Sequence, residues 1–321
     1  MTTSDRKKRN KTTKTLNYEL LSTAVFAIGI YIFWRIAVPH YMSYHEQLQL
    51  FLWTSDYLTE RILIPGGTVQ YLAEFVVQYF NNFNIGALLL TLLFVALQRL
   101  MLIVGRRHFV GLNVLHSFTL PLLLLVTMSD MYVMTTYAVS LTVAVALMTV
   151  APRNTKWQTT YSIALGSLGY MLIGPIVVVT LLYFLVCDIC KREGFKSVVP
   201  DIAGLVVLFL AVVGASNTTL YHIIDVAFGI DYYRSKEILW EGYLIALVPM
   251  IYPLLKVFAV SNKVINIAHW TLIVGTVVIL PIEYGGEEST RLKYDMLVRT
   301  SQWTETVSYT HLRAHETLRY L

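Results

Sequence analysis

A chain of 321 residues with 56% hydrophobic and only 14% charged residues does not read as a soluble domain, in which charged side chains make up about a quarter of the total. Its mean hydropathy is +0.58. The net charge of +5 is not a nucleic-acid footprint, because the cations sit in a basic tail and in brief loops between apolar runs, where they orient the chain and meet anionic lipid.

The amino terminus carries Arg6, Lys7, Lys8, Arg9, Lys11 and Lys14 ahead of an apolar run over 20–38. That run is long for a signal-peptide core and no small-x-small cleavage site follows it, so it reads as an uncleaved first span. Further apolar runs of membrane-spanning length fall near 85–104, 113–128, 133–150, 159–173, 176–190, 198–215, 243–260 and 264–280. The predicted fold is all-α: a polytopic transmembrane helix bundle of about nine spans.

Basic residues recur in alternate connections: Arg106 and Arg107, Arg153 and Lys156, Lys191, Arg192 and Lys196, and Lys263. The opposite connections, up to residue 242, hold only Arg61, Arg234 and Lys236. Cytoplasmic loops retain Lys and Arg, so the amino terminus is expected in the cytoplasm of a bacterial inner membrane. Gly174-Pro175 divides two apolar runs, as a tight hairpin or as one broken helix; the cations on both flanks favour two crossings.

Residues 1–19 then form a basic cytoplasmic tail and 20–280 the transmembrane domain, with outer loops at 39–84 and 216–242. Residues 281–306 begin an extracytoplasmic helical region that is cut short. Cys187 and Cys190 lie at a cytoplasmic helix end with no second pair to complete a zinc site, and read as free thiols.

The first outer loop is predicted to be an amphipathic helical hairpin on the membrane surface. Glu46, Gln49, Trp53, Asp56 and Glu60 follow three- and four-residue spacings along Tyr44–Arg61, which line one helical face. Pro65-Gly66-Gly67 breaks the chain, and a second helix over Thr68–Tyr79 stacks Gln70, Glu74 and Gln78. A polar face of this kind is either simply solvated or a site. Glu46 lies just after span one, at the depth where a lipid-linked substrate presents its phosphate and sugar. Trp53 belongs to an interfacial aromatic belt or to a sugar-stacking platform. Asp130, in the turn between spans three and four, is either a helix cap or a carboxylate facing a wet cavity. Arg234 and Lys236 either meet a carrier phosphate or pair with Asp225, Asp231 or Glu237.

The run from His45-Glu46-Gln47 through Pro65-Gly66-Gly67 and Tyr71-Leu72-Ala73-Glu74-Phe75 to Gln98-Arg99 resembles an uncharacterised family of bacterial multi-pass membrane proteins with a domain of unknown function. The resemblance implies a longer parent with a soluble helical carboxyl half, whose opening helix is similar to Leu292–Trp303. An acid after span one, an acid in the outer turn between spans three and four, and an external region after the last span also resemble the GT-C glycosyltransferases.

That second resemblance implies a polyprenyl-phosphate-linked sugar as substrate. It makes Glu46 a general base or divalent-metal ligand, Asp130 the second-loop acid, and His45, Trp53, Arg234 and Lys236 substrate contacts. The chain lacks the tandem acidic motif of that family's first loop; His45-Glu46 is the nearest match. A non-catalytic membrane scaffold with an external helical domain is the alternative. A transporter is disfavoured because most charges lie at span ends. Val307–Thr317 resembles a translated sequencing adaptor, which sets aside 307–321, including His311, His315 and Glu316, as no part of a site.

Overall fold

The computed structural model of the protein describes residues 3–109, 114–150, 155–191, 195–304 and 306–307. Helices account for nearly all of its regular structure; among the described residues the only β-type pairings are two isolated bridges, both involving Arg234. Helix α1 (Thr3–Ile32) widens into a π turn over Phe33–Ala37, closed by the Val38 amide on the Phe33 carbonyl at 3.1 Å. Pro39 then opens α2 (Pro39–Leu48), followed by α3 (Ser55–Ile62) and α4 (Gly67–Val77).

Helix α5 (Phe83–His108) returns antiparallel to α1, and α6 (Thr119–Thr127), α7 (Thr135–Val150), α8 (Thr155–Ala164) and α9 (Tyr170–Ile173) follow. A π turn over Leu165–Gly169 joins α8 to α9. The rest is α10 (Val177–Lys191), α11 (Phe195–Thr219), α12 (Ile223–Phe228), α13 (Trp240–Ala246), α14 (Val248–Val257), α15 (Asn262–Glu283) and α16 (Glu287–Arg299).

Five of these helical stretches are long and apolar enough to cross a membrane: Asn17–Ala37, Phe83–His108, Phe195–Thr219, Trp240–Val257 and Asn262–Glu283. Two shorter apolar ones are Val114–Thr127 and Thr135–Val150. Each predicted apolar run overlaps helix among the described residues, the run 243–260 being two helices, α13 and α14.

The helix ends sort into two sets. At one end Arg106 of α5 bonds to Glu19 of α1, Arg107 donates to the Met148 carbonyl at the end of α7, and Tyr161 of α8 donates to the Leu147 carbonyl. Gln158 near the start of α8 donates to Asp188 near the end of α10 at 2.6 Å, so Gly174-Pro175 is the bend of an antiparallel hairpin, not a kink in one helix.

The core is aromatic. Trp34, Tyr41, Tyr137, Tyr170, Tyr233, Tyr252, Phe80 and Phe94 are all fully enclosed. An apolar interior cannot hydrate a phenol, so each buried hydroxyl needs an acceptor. Tyr137 uses the Gly242 carbonyl, Tyr170 that of Val226, and Tyr284 that of Leu125. These bonds tie helices and loops distant in sequence at the end opposite Arg106.

Two corrections concern the first outer loop. The expected single helix Tyr44–Arg61 is two helices with an irregular link at Gln49–Thr54. Gln49 is turned inward, donating to the Thr136 hydroxyl at 3.0 Å and accepting from the Thr135 amide at 3.1 Å. Thr54 restarts the helix as a cap, accepting from the Tyr57 amide. The five-residue polar stripe therefore does not lie on one helix.

The expected turn at Pro65-Gly66-Gly67 is present. Gly66 has φ +74, the left-handed region, and a Cβ on Gly67 would lie 1.7 Å from the Arg61 carbonyl oxygen. The face of α4 carrying Glu74 points into the protein. Glu74 is 3% exposed and accepts from Arg61 at 2.9 Å, from Gln70 at 3.1 Å, and from the Tyr57 hydroxyl. Burial pushes its carboxyl upward against those three partners. The apolar side chains Leu58, Ile62, Leu63 and Leu72 are left outside.

Candidate functional site

The turn after α6 and the long loop before α13 are laced together. Met134 donates its amide to the Tyr233 carbonyl at 2.8 Å, and Ser235 donates to that of Tyr132 at 3.2 Å. Tyr233 anchors the loop by donating to the Ile173 carbonyl and accepting from the Ile176 amide. Asp231 and Lys236 both take positive φ; the Lys236 amide donates to the Asp231 carboxylate at 2.9 Å, closing a small loop. This framework fixes Arg234. Its Nε donates to Asp130 Oδ2 at 2.6 Å and its Nη1 to Glu237. Burial works against the guanidinium, but the two carboxylates outweigh it and raise its pKa. The other oxygen of Asp130 accepts from the Tyr132 amide at 2.9 Å.

Beside this cluster lies an open cavity of about 470 Å³. Its polar lining includes Asp130, Arg234, Glu237, Glu241 and Glu283; Trp240 and the side chains of Leu123, Val126, Ile238 and Ile245 supply apolar wall. Four carboxylates and one guanidinium thus surround one space, contributed by the ends of α6 and α15, the long loop and the start of α13. Among the described residues, Glu241 and Glu283 form no ion pair or side-chain hydrogen bond with protein. Among those same residues no group of three or more His, Cys, Asp or Glu has a metal-holding arrangement.

The residues singled out from the sequence divide. Asp130 and Arg234, expected separately, are direct partners, and Glu237, one of the carboxylates expected for Arg234, is the second. His45 is 1% exposed, and neither ring nitrogen has a hydrogen-bond partner. Burial pushes its pKa down to about 4, with Asp130 near enough to pull the other way. Tyr41, one helical turn earlier, is pushed up to about 12, first by burial and then by Glu288, with Asp130 and Glu283 adding to it. Tyr41 also packs against Tyr284, with ring centroids 4.8 Å apart, next to Glu283 of the lining, so helix α2 backs the cavity.

Glu46 lies outside the cavity lining and pairs with Arg299 of α16 at 3.1 Å. Trp53 is 72% exposed and packs edge-on against Phe51 and Phe75, away from the cavity. Lys236 is exposed on the loop and also outside the lining.

In the sequence Glu241 and Glu283 are acids of the outer connections without a motif around them, and Trp240 carries no signal. Their convergence requires the docking of α13 and α15 against α6. Helix α16, in the stretch expected to begin an extracytoplasmic region, packs against α2. Ser289 shares a 2.8 Å hydrogen bond with His40, Asp295 accepts from Gln47 at 3.1 Å, and Arg299 also reaches Ser43. Of the 307–321 segment only residue 307 falls among those described; His311, His315 and Glu316 lie outside them.

Fold and site together define an all-helical membrane protein with an acid-rich cavity walled by helix ends and one ordered loop. The chain belongs to the family of unknown function DUF6057, whose model matches residues 14–320. No curated protein and no solved structure matches it.

Proposed function

We propose that the chain crosses a bacterial inner membrane nine times, with its Arg106 end in the cytoplasm and the Asp130 cavity facing outward. There it acts as a GT-C-like glycosyltransferase on a polyprenyl-phosphate-linked sugar. The observation carrying this reading is the cavity itself: carboxylates suited to sugar hydroxyls, an indole wall and an apolar rim, all beside one held guanidinium. Bidentate and single bonds from carboxylates, with an aromatic face, are what polyol recognition needs.

The division of labour follows from which oxygens are occupied. Asp130 and Glu46 are each engaged by an arginine, so the base role passes to Glu241 or Glu283. One of these takes the proton of an acceptor hydroxyl as that oxygen bonds to the anomeric carbon. The sugar–phosphate C–O bond breaks and the carrier phosphate leaves as an anion. Asp130 and Glu237 use two of the five N–H donors of Arg234, and a third can meet that phosphate. Asp130 is then a positioning residue.

Purified protein in liposomes containing a polyprenyl-phosphate-linked hexose provides the test, with sugar transfer or release read by mass spectrometry. Turnover by the parent chain that drops at least 100-fold in Glu241→Gln or Glu283→Gln supports the reading. Turnover indifferent to both variants, or absent from the parent chain, argues for the alternative: a non-catalytic scaffold. That alternative draws on the use of Glu46 and Gln47 to dock α16.

A further inference from the structure

At the opposite end of the bundle from the cavity, α8, α10 and α11 meet around two carboxylates that the proposed reaction does not use. Asp188 is 4% exposed and satisfied: Lys191 donates to one oxygen at 2.6 Å and Gln158 to the other at 2.6 Å. Asp201 is 0% exposed. Ser162 donates to its Oδ1 at 3.0 Å; Oδ2 is enclosed without a hydrogen bond of normal length among the described residues, the Gln158 amide being a further donor acting on the carboxylate. Asp188 and Lys191 both lie close enough to act on it. Among the described residues Lys191 is the cation acting on this pair, and it balances one of the two carboxylates.

The helices cannot part to hydrate that oxygen without losing their closest contact. A Cβ on Gly166 would sit 2.3 Å from the Gly204 carbonyl oxygen, and one on Gly204 would sit 2.6 Å from that of Ser162. Small residues of this kind let helix backbones touch in an apolar medium. The π turn over Leu165–Gly169 starts three residues after Ser162, and such turns concentrate at functional sites. An ionisable side chain enclosed within an apolar helix marks an ion or proton site more often than a structural one.

We propose that this corner binds one small monovalent cation of the sodium class. Asp201 is its charged ligand and the Ser162 hydroxyl oxygen a neutral one. The donors are all hard oxygens, which selects an alkali or alkaline-earth ion over a transition metal. Among the described residues one carboxylate is left without a cation, because Asp188 is committed to Lys191, and one such charge selects a monovalent ion. This site stands apart from the cavity and does not depend on the glycosyl-transfer reading.

The full chain in detergent or nanodiscs is unfolded thermally while sodium chloride replaces choline chloride at constant ionic strength and pH. The midpoint of the parent protein is expected to rise saturably by several degrees with sodium, as ligand linkage requires. Asp201→Asn, equal in shape but uncharged, should be flat, and Ser162→Ala should need several-fold more sodium for half the rise. Equal midpoints in sodium and choline, or a sodium response that survives in Asp201→Asn, overturn the proposal. A midpoint that moves with pH but not with sodium also overturns it, since a proton alone would then satisfy the carboxylate. If Asp201→Asn does not fold, the Ser162→Ala titration decides.

Discussion

Arg234 holds the loop and the α6 turn together through two acceptors far apart in sequence. It is roughly one-fifth exposed, at 19%, and Asp130 is 32% exposed, so the pair is neither a surface ion pair nor a dry one. Removing Arg234 leaves the partly enclosed Asp130 with the Tyr132 amide alone, and removing the Asp130 charge leaves the guanidinium with Glu237 alone; either costs more than the pair itself contributes. Asp130→Asn and Arg234→Met should each lower stability by about 1–3 kcal/mol, and the double variant should cost clearly less than the sum. A denaturation double-mutant cycle checks this; strict additivity would mean the two side chains do not interact.

His40 and His45 carry a second consequence at the same scale. Both are pushed from 6.5 down to about 4, in each case chiefly by burial; Lys293 adds to the shift at His40 and Asp130 opposes it at His45. The folded protein prefers the neutral rings. Their contribution is therefore complete above pH 6.5 and is lost as pH falls towards 4, by on the order of 3 kcal/mol per ring. Unfolding midpoints measured between pH 7 and 4 should fall steeply, and less steeply in His45→Gln. An unchanged slope in that variant would remove His45 from the account.

At the scale of elements, the hairpin α3–α4 shows what pattern reading captures and what it misses. Pro65-Gly66-Gly67 announced a turn whose geometry then demands glycine, since Gly67 leaves no room for a side chain against Arg61. Gly67→Ala should disrupt the hairpin by several kcal/mol, whereas Gly29→Ala, with nothing within 4 Å of the added carbon, should be neutral or slightly stabilising. Limited proteolysis around 49–66 reads the difference; equal resistance in both variants would contradict the geometry.

Apolar run length and turn residues made the helices legible, because both are local properties. The inward turn of Gln49 and the burial of Glu74 were not legible, because each depends on partners supplied by the fold. Gln49 bonds residues 86 and 87 positions away. The same limit hid the pairing of Asp130 with Arg234, which are 104 residues apart, and the return of α16 to α2.

For the whole molecule, one end carries cations partly paired with Glu19 and Asp188, and the other an excess of carboxylates around Arg234. Arg106, Arg107 and Lys191 gather where α5 and α10 finish, and Asp130, Glu237, Glu241 and Glu283 surround the cavity at the other end. Such a molecule has one preferred orientation in an energised membrane. The exposed apolar side chains of α3 and α4, with Trp53 at their edge, suit the headgroup boundary on the cavity side.

The most direct test labels single cysteines in intact cells with a membrane-impermeant maleimide, in a background where Cys187 and Cys190 are replaced by serine. Glu60→Cys and Tyr221→Cys, on the cavity side, should react in intact cells, and Lys196→Cys only after permeabilisation. Labelling of Lys196→Cys in intact cells, with Glu60→Cys and Tyr221→Cys protected, would turn the cavity to the cytosol and contradict the account.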